Sequence, residues 1–227
     1  MTDLAHQVAD WLLLTLRPSE GPLRIALSGG STPRALYELL AQEPYRGLLP
    51  WDRIHVFWGD ERFVPPDDAR SNYRMAYTTL LGHVPIPPGN IHPVQTDDLT
   101  PEEAARLYQA TLARVYGADT LDPARPLFDV NLLGLGTDGH TASLFPGTPA
   151  LAERHAWAVA VTPEGEPTRI TLTYPALNSS RHVAFMVSGL NKRDMLARVR
   201  AGDPAAPASG IAPVGALHWF ADADAAG

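Results

Sequence analysis

An α/β fold built on a mainly parallel sheet is predicted by three features of this 227-residue chain. Short apolar runs alternate with helix-length amphipathic stretches, the pattern of strand–crossover–strand units. The runs are near-continuously apolar, as strands are when helices cover both faces of their sheet. Four of them open directly into loops rich in Gly, Ser, Asp and Asn, and in parallel sheets ligands bind where the chain leaves the carboxyl ends of the strands. The length suits one large domain with a core of its own, so residues 1–227 are read as a single α/β domain.

The elements follow in order. "MTDLAHQVADWLLLTLRPSEG" reads as an amphipathic first helix. It carries acids early and no basic segment, and its longest apolar run, Trp11 to Leu14, is too short for a signal-peptide core or a span. A cytoplasmic protein without membrane contact is therefore expected. "LRIAL" (23–27) is a strand that runs into "SGGSTP", and "PRALYELLAQ" then forms a helix with Pro33 in its first turn. "IHVFW" (54–58) is a strand followed by the loop "GDERFVPPDDARSN" and the helix "YRMAYTTLL". No element is assigned over 85–125. "FDVNLL" (128–133) is a strand entering "GLGTDGHTASLFPG", and "AWAVAV" (156–161) and "RITLTY" (169–174) are two further strands. "HVAFMVSG" (182–189) leads into the helix "LNKRDMLARVRAG", whose cations sit towards its C-terminal end, where the dipole favours them. "AGDPAAPASG" (201–210) is a loop.

Composition narrows the chemistry. There is no cysteine, which excludes disulfides, thiolate metal sites and a cysteine nucleophile. A formal charge of −7 argues against nucleic acid or an anionic membrane as partner, but a small phosphorylated ligand needs only a few local cations. Lys192 is the single lysine of an arginine-rich chain. No heptad or interface stripe specifies an oligomer, and a monomer or small homo-oligomer is expected.

The four loops offer complementary groups. In "SGGSTP", Gly29 and Gly30 let the backbone approach an anion, and Ser31 and Thr32 add hydroxyls at a helix N-terminus; an ordinary βα turn with a Ser/Thr cap has the same appearance. The loop lacks the lysine of a Walker motif. In "GDER", Arg62 presents a planar fork suited to phosphate or carboxylate, unless Asp60 and Glu61 simply neutralise it. No histidine stands beside these acids at metal-ligand spacing, and no metal is expected. Lys192 follows Gly189 by three residues, at the first turn of a helix, and Arg169 is a further candidate cation.

"GLGTDGH" admits two readings. Gly134, Gly136 and Gly139 satisfy G-x-G-x-x-G, but Asp138 stands inside the motif where it would repel a pyrophosphate, and Pro146 leaves room for only a short helix. The alternative is an acid–base pair. His140 accepts a proton near neutral pH, and Asp138 beside it fixes the tautomer and stabilises the imidazolium. With no G-x-S-x-G serine and no thiol, such a pair points to activating water or moving a proton on the substrate.

Taken in order, "ALSGGSTPRALYELLA", "VFWGDERFVPPDDARSNY", "NLLGLGTDGHTASLFPG", "RITLTYPALN", "VSGLNKRDML" and "HWFADADAA" resemble the 6-phosphogluconolactonase family, from about residue 26 to the end of the sequence. The resemblance implies a Rossmann-like fold shared with glucosamine-6-phosphate deaminases. It also implies hydrolysis of the phosphosugar lactone of the oxidative pentose phosphate pathway, with no cofactor and no metal. Carried over, His140 is the general base and Asp138 its orienting acid. Arg62 and Lys192 bind substrate, with Gly29, Gly30, Ser31, Thr32 and Arg169 around the phosphate. A deaminase resembles this sequence around "GxGxDGH" but carries a glutamate after the histidine, where "TASLFP" has none. A non-catalytic sugar-phosphate sensor is the remaining alternative, although no basic helix-turn-helix accompanies the loops. Binding of NADP is not expected.

Overall fold

The structure, a computed structural model, describes residues 2–227, with side chains from Leu4 onward. In chain order the elements are α1 (Thr2–Leu16), β1 (Leu23–Leu27), α2 (Ser31–Leu40), α3 (Tyr45–Leu48), β2 (Ile54–Trp58), β3 (Asp60–Arg62), α4 (Asn72–Ala76), α5 (Pro101–Tyr116), β4 (Phe128–Leu133), β5 (Ala158–Val161), β6 (Arg169–Leu172), α6 (Tyr174–Asn178), β7 (Ser180–Val187), α7 (Arg193–Arg200), β8 (Ala216–Ala221) and α8 (Ala223–Ala226). α4 continues as a π-helical turn over Tyr77–Leu81, and a 3₁₀ turn over Leu190–Lys192 precedes α7.

Five strands form the expected parallel sheet, in the order β2-β1-β4-β7-β8. Successive side chains point to opposite faces of a strand, and both faces are buried here. Ile25, Val56, Val130 and Ala184 pack with Leu4, Val8, Leu12, Leu36 and Leu40 of α1 and α2. Ala26, Phe57, Val183 and Phe185 pack with Tyr108 and Leu112 of α5 and with Leu196 and Val199 of α7.

Three findings correct the sequence reading. The runs at 156–161 and 169–174 do not belong to the parallel sheet; they supply β5 and β6 of a separate antiparallel sheet, order β3-β6-β5. Its third strand is "DER", expected to be loop. The chain runs straight from β2 into β3 and changes sheets at Gly59, whose N–H still bonds Leu27 in the first sheet (2.9 Å) while its carbonyl accepts from Leu172 in the second (2.8 Å). Finally, α5 fills the region left unassigned. Its signals stand in "TPEEAARLYQATLARVYG": Thr100 and Glu103 make a reciprocal capping box, Pro101 opens the helix, and Gly117 closes it at φ 82°. β8 likewise occupies the terminal "ALHWFA".

Two fully buried tyrosines hold the strand ends that carry the loops. The Tyr37 hydroxyl accepts from the Ser28 N–H (3.0 Å) and donates to the Ser28 carbonyl (2.8 Å) at the end of β1. Tyr108 does the same for Trp58 at the end of β2, at 2.7 Å each. Each phenol satisfies both backbone groups of a residue leaving the sheet, where no neighbouring strand is left to do so.

Candidate active site

The carboxyl ends of the parallel strands meet around a cavity of about 210 Å³ lined by Gly29 and Gly30 after β1, Arg62 on β3, Gly136 and His140 after β4, and Lys192 after β7. Arg169 on β6 also faces it. The gathering expected from topology is therefore present, with one difference. Ser31 is exposed, and Thr32 lines a separate small cavity under α1 with Leu4, Val8 and Met186; neither side chain reaches the site wall. What they bring is the first turn of α2, which no side chain caps and whose first N–H groups have no intrahelical acceptor. Larger grooves, of about 820, 830 and 710 Å³, lie elsewhere. None of them joins a carboxylate-paired histidine to inward-facing cations, so chemistry rather than size picks the site.

Behind β4 the chain turns without forming a helix until a 3₁₀ turn at Pro149–Ala152. A dinucleotide motif requires a helix at this point, so the three glycines serve something else. His140 Nδ1 lies 2.6 Å from Asp138 Oδ1, and the His140 N–H donates to the same oxygen at 3.1 Å. Burial pushes the Asp138 carboxyl up, but the His140 N–H and the imidazole more than offset it and hold it below the ordinary range. An ionised carboxylate only accepts, so Nδ1 carries the proton and Nε2 is the basic nitrogen. The imidazole lies against Phe145, ring centroids 4.2 Å apart.

Gly136 makes room for this pair. A Cβ there would fall 2.1 Å from His140 Nδ1 and 2.5 Å from Asp138 Oδ1. Gly139 has φ 86°, and a Cβ on it would meet Ala206 at 2.7 Å. Ala142, also in the cavity wall, takes φ 48°, a left-handed conformation that costs a non-glycine residue about 1–2 kcal/mol.

Three cations share the cavity with the imidazole. Arg62 and Arg169 are direct cross-strand partners in the β3–β6 ladder, where like charges repel. Each has a buried Nε without a partner. Arg62 otherwise donates to the Arg70 carbonyl (2.7 Å), and Arg169 pairs with Glu166 (2.9 Å) and lies 3.8 Å from Asp60. The Arg169 guanidinium also sits 5.3 Å over the Phe145 ring, so one aromatic side chain backs both the imidazole and a cation. Burial lowers the Lys192 ammonium pKa, opposed by the Asp138 charge. Two adjacent guanidiniums and a partly desolvated ammonium facing one cavity are the electrostatics of an anion site.

Glu61 sets the geometry of this wall. Its buried carboxylate accepts from the N–H groups of Arg62, Asn72 and Tyr73, at 2.7 Å each, and from Ser71 Oγ at 3.1 Å. Burial raises its pKa, and the three N–H groups only partly counter that. The acid read as a neutraliser of Arg62 thus ties the two ends of the 62–72 loop together. Asp60 bonds Ser143 Oγ (2.6 Å). Asn72, also in the cavity wall, was missed by sequence reasoning; its one signal was its place right after a helix-capping serine. Among the described residues, no three His, Asp or Glu side chains gather to hold a metal ion.

Comparison with known proteins agrees with this geometry. The family described as glucosamine-6-phosphate isomerases/6-phosphogluconolactonase matches residues 1–219. The chain belongs to that family. Among curated members of the isomerase/lactonase family, the 6-phosphogluconolactonase of Nostoc sp. is 47% identical over 209 residues, covering 91% of this chain and 84% of the relative. That of Mycobacterium tuberculosis is 41% identical, covering 92% and 85%. Among solved structures of the family, the 6-phosphogluconolactonase from Trypanosoma cruzi superposes with a TM-score of 0.87 at 32% identity, covering 99% of this chain and 92% of its own.

Proposed function

We propose that this protein hydrolyses 6-phospho-D-glucono-1,5-lactone to 6-phosphogluconate without a metal ion, with His140 as the base. The observation that carries the reading is that His140, bonded to Asp138, lines the same cavity as Arg62, Arg169 and Lys192. The imidazole offers a base for water, and the cations offer charge for a phosphate. The relatives named 6-phosphogluconolactonase support the lactone over an amino sugar, as does the lack of a carboxylate in the segment Thr141–Pro146 that follows the base. A net charge of −7 favours a small ligand over nucleic acid. No helix among the described residues is long and apolar enough to cross a membrane. The protein is read as acting in the cytoplasm, as a monomer or small homo-oligomer.

The chemistry needs few groups. Asp138 holds Nδ1–H, and Nε2 takes a proton from water as its oxygen bonds the lactone carbonyl carbon. The tetrahedral oxyanion collapses, the bond from that carbon to the ring oxygen breaks, and the imidazolium returns its proton to the departing oxygen. His140 therefore acts as base and then as acid within one turnover. Arg62, Arg169, Lys192 and the α2 N-terminus hold the phosphate and so place the carbonyl beside the base. Ser31 and Thr32 contribute there through backbone N–H groups.

The test is the loss of the lactone, generated in place from glucose 6-phosphate, measured against the rate without enzyme. Acceleration well above that background is expected. Binding of the sugar phosphate without acceleration would leave a sensor as the reading, and turnover of glucosamine 6-phosphate instead would make the protein a deaminase.

Lys192→Ala is expected to raise KM about 10- to 100-fold, the worth of a hydrogen bond to a charged group, with kcat little changed. Because burial depresses the Lys192 pKa, its charge is present at low pH and lost earlier than that of an exposed lysine as pH rises. Binding of 6-phosphogluconate, followed by calorimetry, should weaken on the alkaline side, and Lys192→Arg should move that loss to higher pH. A KM unchanged in Lys192→Ala would remove this residue from the site.

A further inference from the structure

We propose that Asn72 is a specificity-determining residue that accepts a hydrogen bond from a ring hydroxyl of the substrate, an inference that rests on the lactonase reading of the site. Asn72 is only 2% exposed and opens α4 immediately after the capping Ser71. Its main chain is fixed by the Glu61 carboxylate, which accepts from its N–H at 2.7 Å. Its side-chain Nδ2 donates to the Asp60 carbonyl at 2.9 Å. That bond orients the amide: with the nitrogen engaged, the remaining polar atom is the acceptor Oδ1.

Oδ1 has no donor among the described residues, yet it is not sealed within the protein, and Asn72 forms part of the cavity wall. The amide also cannot turn away freely, because it packs against the backbone at Gly29. A Cβ on Gly29 would lie 2.0 Å from Oδ1 and 2.5 Å from Cγ. Clamped from three sides, the group is a prepared acceptor awaiting a donor.

The chemistry of the substrate says which donor. A phosphate dianion and a lactone carbonyl only accept, and both suit the cations of the cavity. Only the ring hydroxyls at C2, C3 and C4 donate. A site built around a buried acceptor rejects an analogue lacking the matching hydroxyl, because binding then leaves the acceptor dry and unpaired.

The experiment compares kcat/KM for 6-phosphogluconolactone with that for its 2-, 3- and 4-deoxy analogues, each made in place by oxidation of the deoxyglucose 6-phosphate. Wild type should lose about tenfold or more on one of the three. Asn72→Ala should show a similar loss on the parent lactone and no further loss on that same analogue, so that the two changes are not additive. The proposal is overturned if wild type treats all three analogues like the parent. It is equally overturned if Asn72→Ala discriminates as wild type does, or if it slows every substrate equally, as a residue that merely held the attacking water would. The wild-type comparison stands even if the alanine variant does not fold. Wild type inert towards the parent lactone would instead remove the lactonase reading itself.

Discussion

Replacing His140 with alanine should lower kcat for the lactone by about 10²–10⁴-fold, the usual worth of a positioned acid–base group. KM and the binding of 6-phosphogluconate should change little, because phosphate recognition is assigned to Arg62, Arg169 and Lys192. The imidazole's contacts are the bond to Asp138 two residues away and the ring of Phe145, and its side chain is partly exposed, so the melting temperature should stay near that of wild type. Asp138→Asn should also lower kcat. An asparagine amide can donate to Nδ1, which favours the tautomer with the proton on Nε2 and removes the basic nitrogen from the cavity. Near-wild-type turnover by His140→Ala would leave the reaction class standing and discard the base assigned to it.

Gly136→Ala should cost about 100-fold in kcat, the scale expected when a reacting group is displaced by about 1 Å. The added methyl would overlap His140 Nδ1, at 2.1 Å, and Asp138 Oδ1, at 2.5 Å. Both are ends of side chains that can move aside, so the loop should still form: the Gly136 N–H still bonds the His140 carbonyl at 2.8 Å, and φ at Gly136 is not in the left-handed range. The signature is thus lost turnover with retained folding, read by pairing steady-state kinetics with thermal melting. Full activity in this variant would mean that the pair works from a position off the glycine, and the geometry of the base would have to be redrawn.

Much of this was legible in the linear chain, for physical reasons that act over short sequence distances. Apolar runs of strand length marked β1, β2, β4 and β7, because a strand covered on both faces must be apolar throughout. The loops that follow them carry Gly30, His140 and Lys192, and parallel topology alone sends such loops to one edge. Asp138 and His140, two positions apart, were recognised as a pair without any tertiary information. The helix over Pro101–Tyr116 carries its signals in a capping box and a terminal glycine rather than in its apolar pattern.

Contacts between residues distant in the chain were out of reach. Nothing local in "DER" reveals a strand, since three charged residues become β3 only because β6 stands ready to pair with them. The same pairing sets Arg62 against Arg169, 107 positions away in sequence, and so brings together two cations that the sequence offered only as separate candidates. Glu61 read as a counter-charge and became a buried clamp on the backbone. Ser31 and Thr32 read as ligand hydroxyls, yet the start of α2 turns one to the surface and the other beneath α1. Sequence by itself determined the fold class, the strand ends that bear the loops and the pairing of Asp138 with His140, because these depend on side-chain periodicity and near neighbours. Only the tertiary structure decided which cations face one another, which acid is sealed inside and which amide is left open to a ligand, because burial and long-range pairing determine whether a polar group is satisfied by the protein or left free to bind.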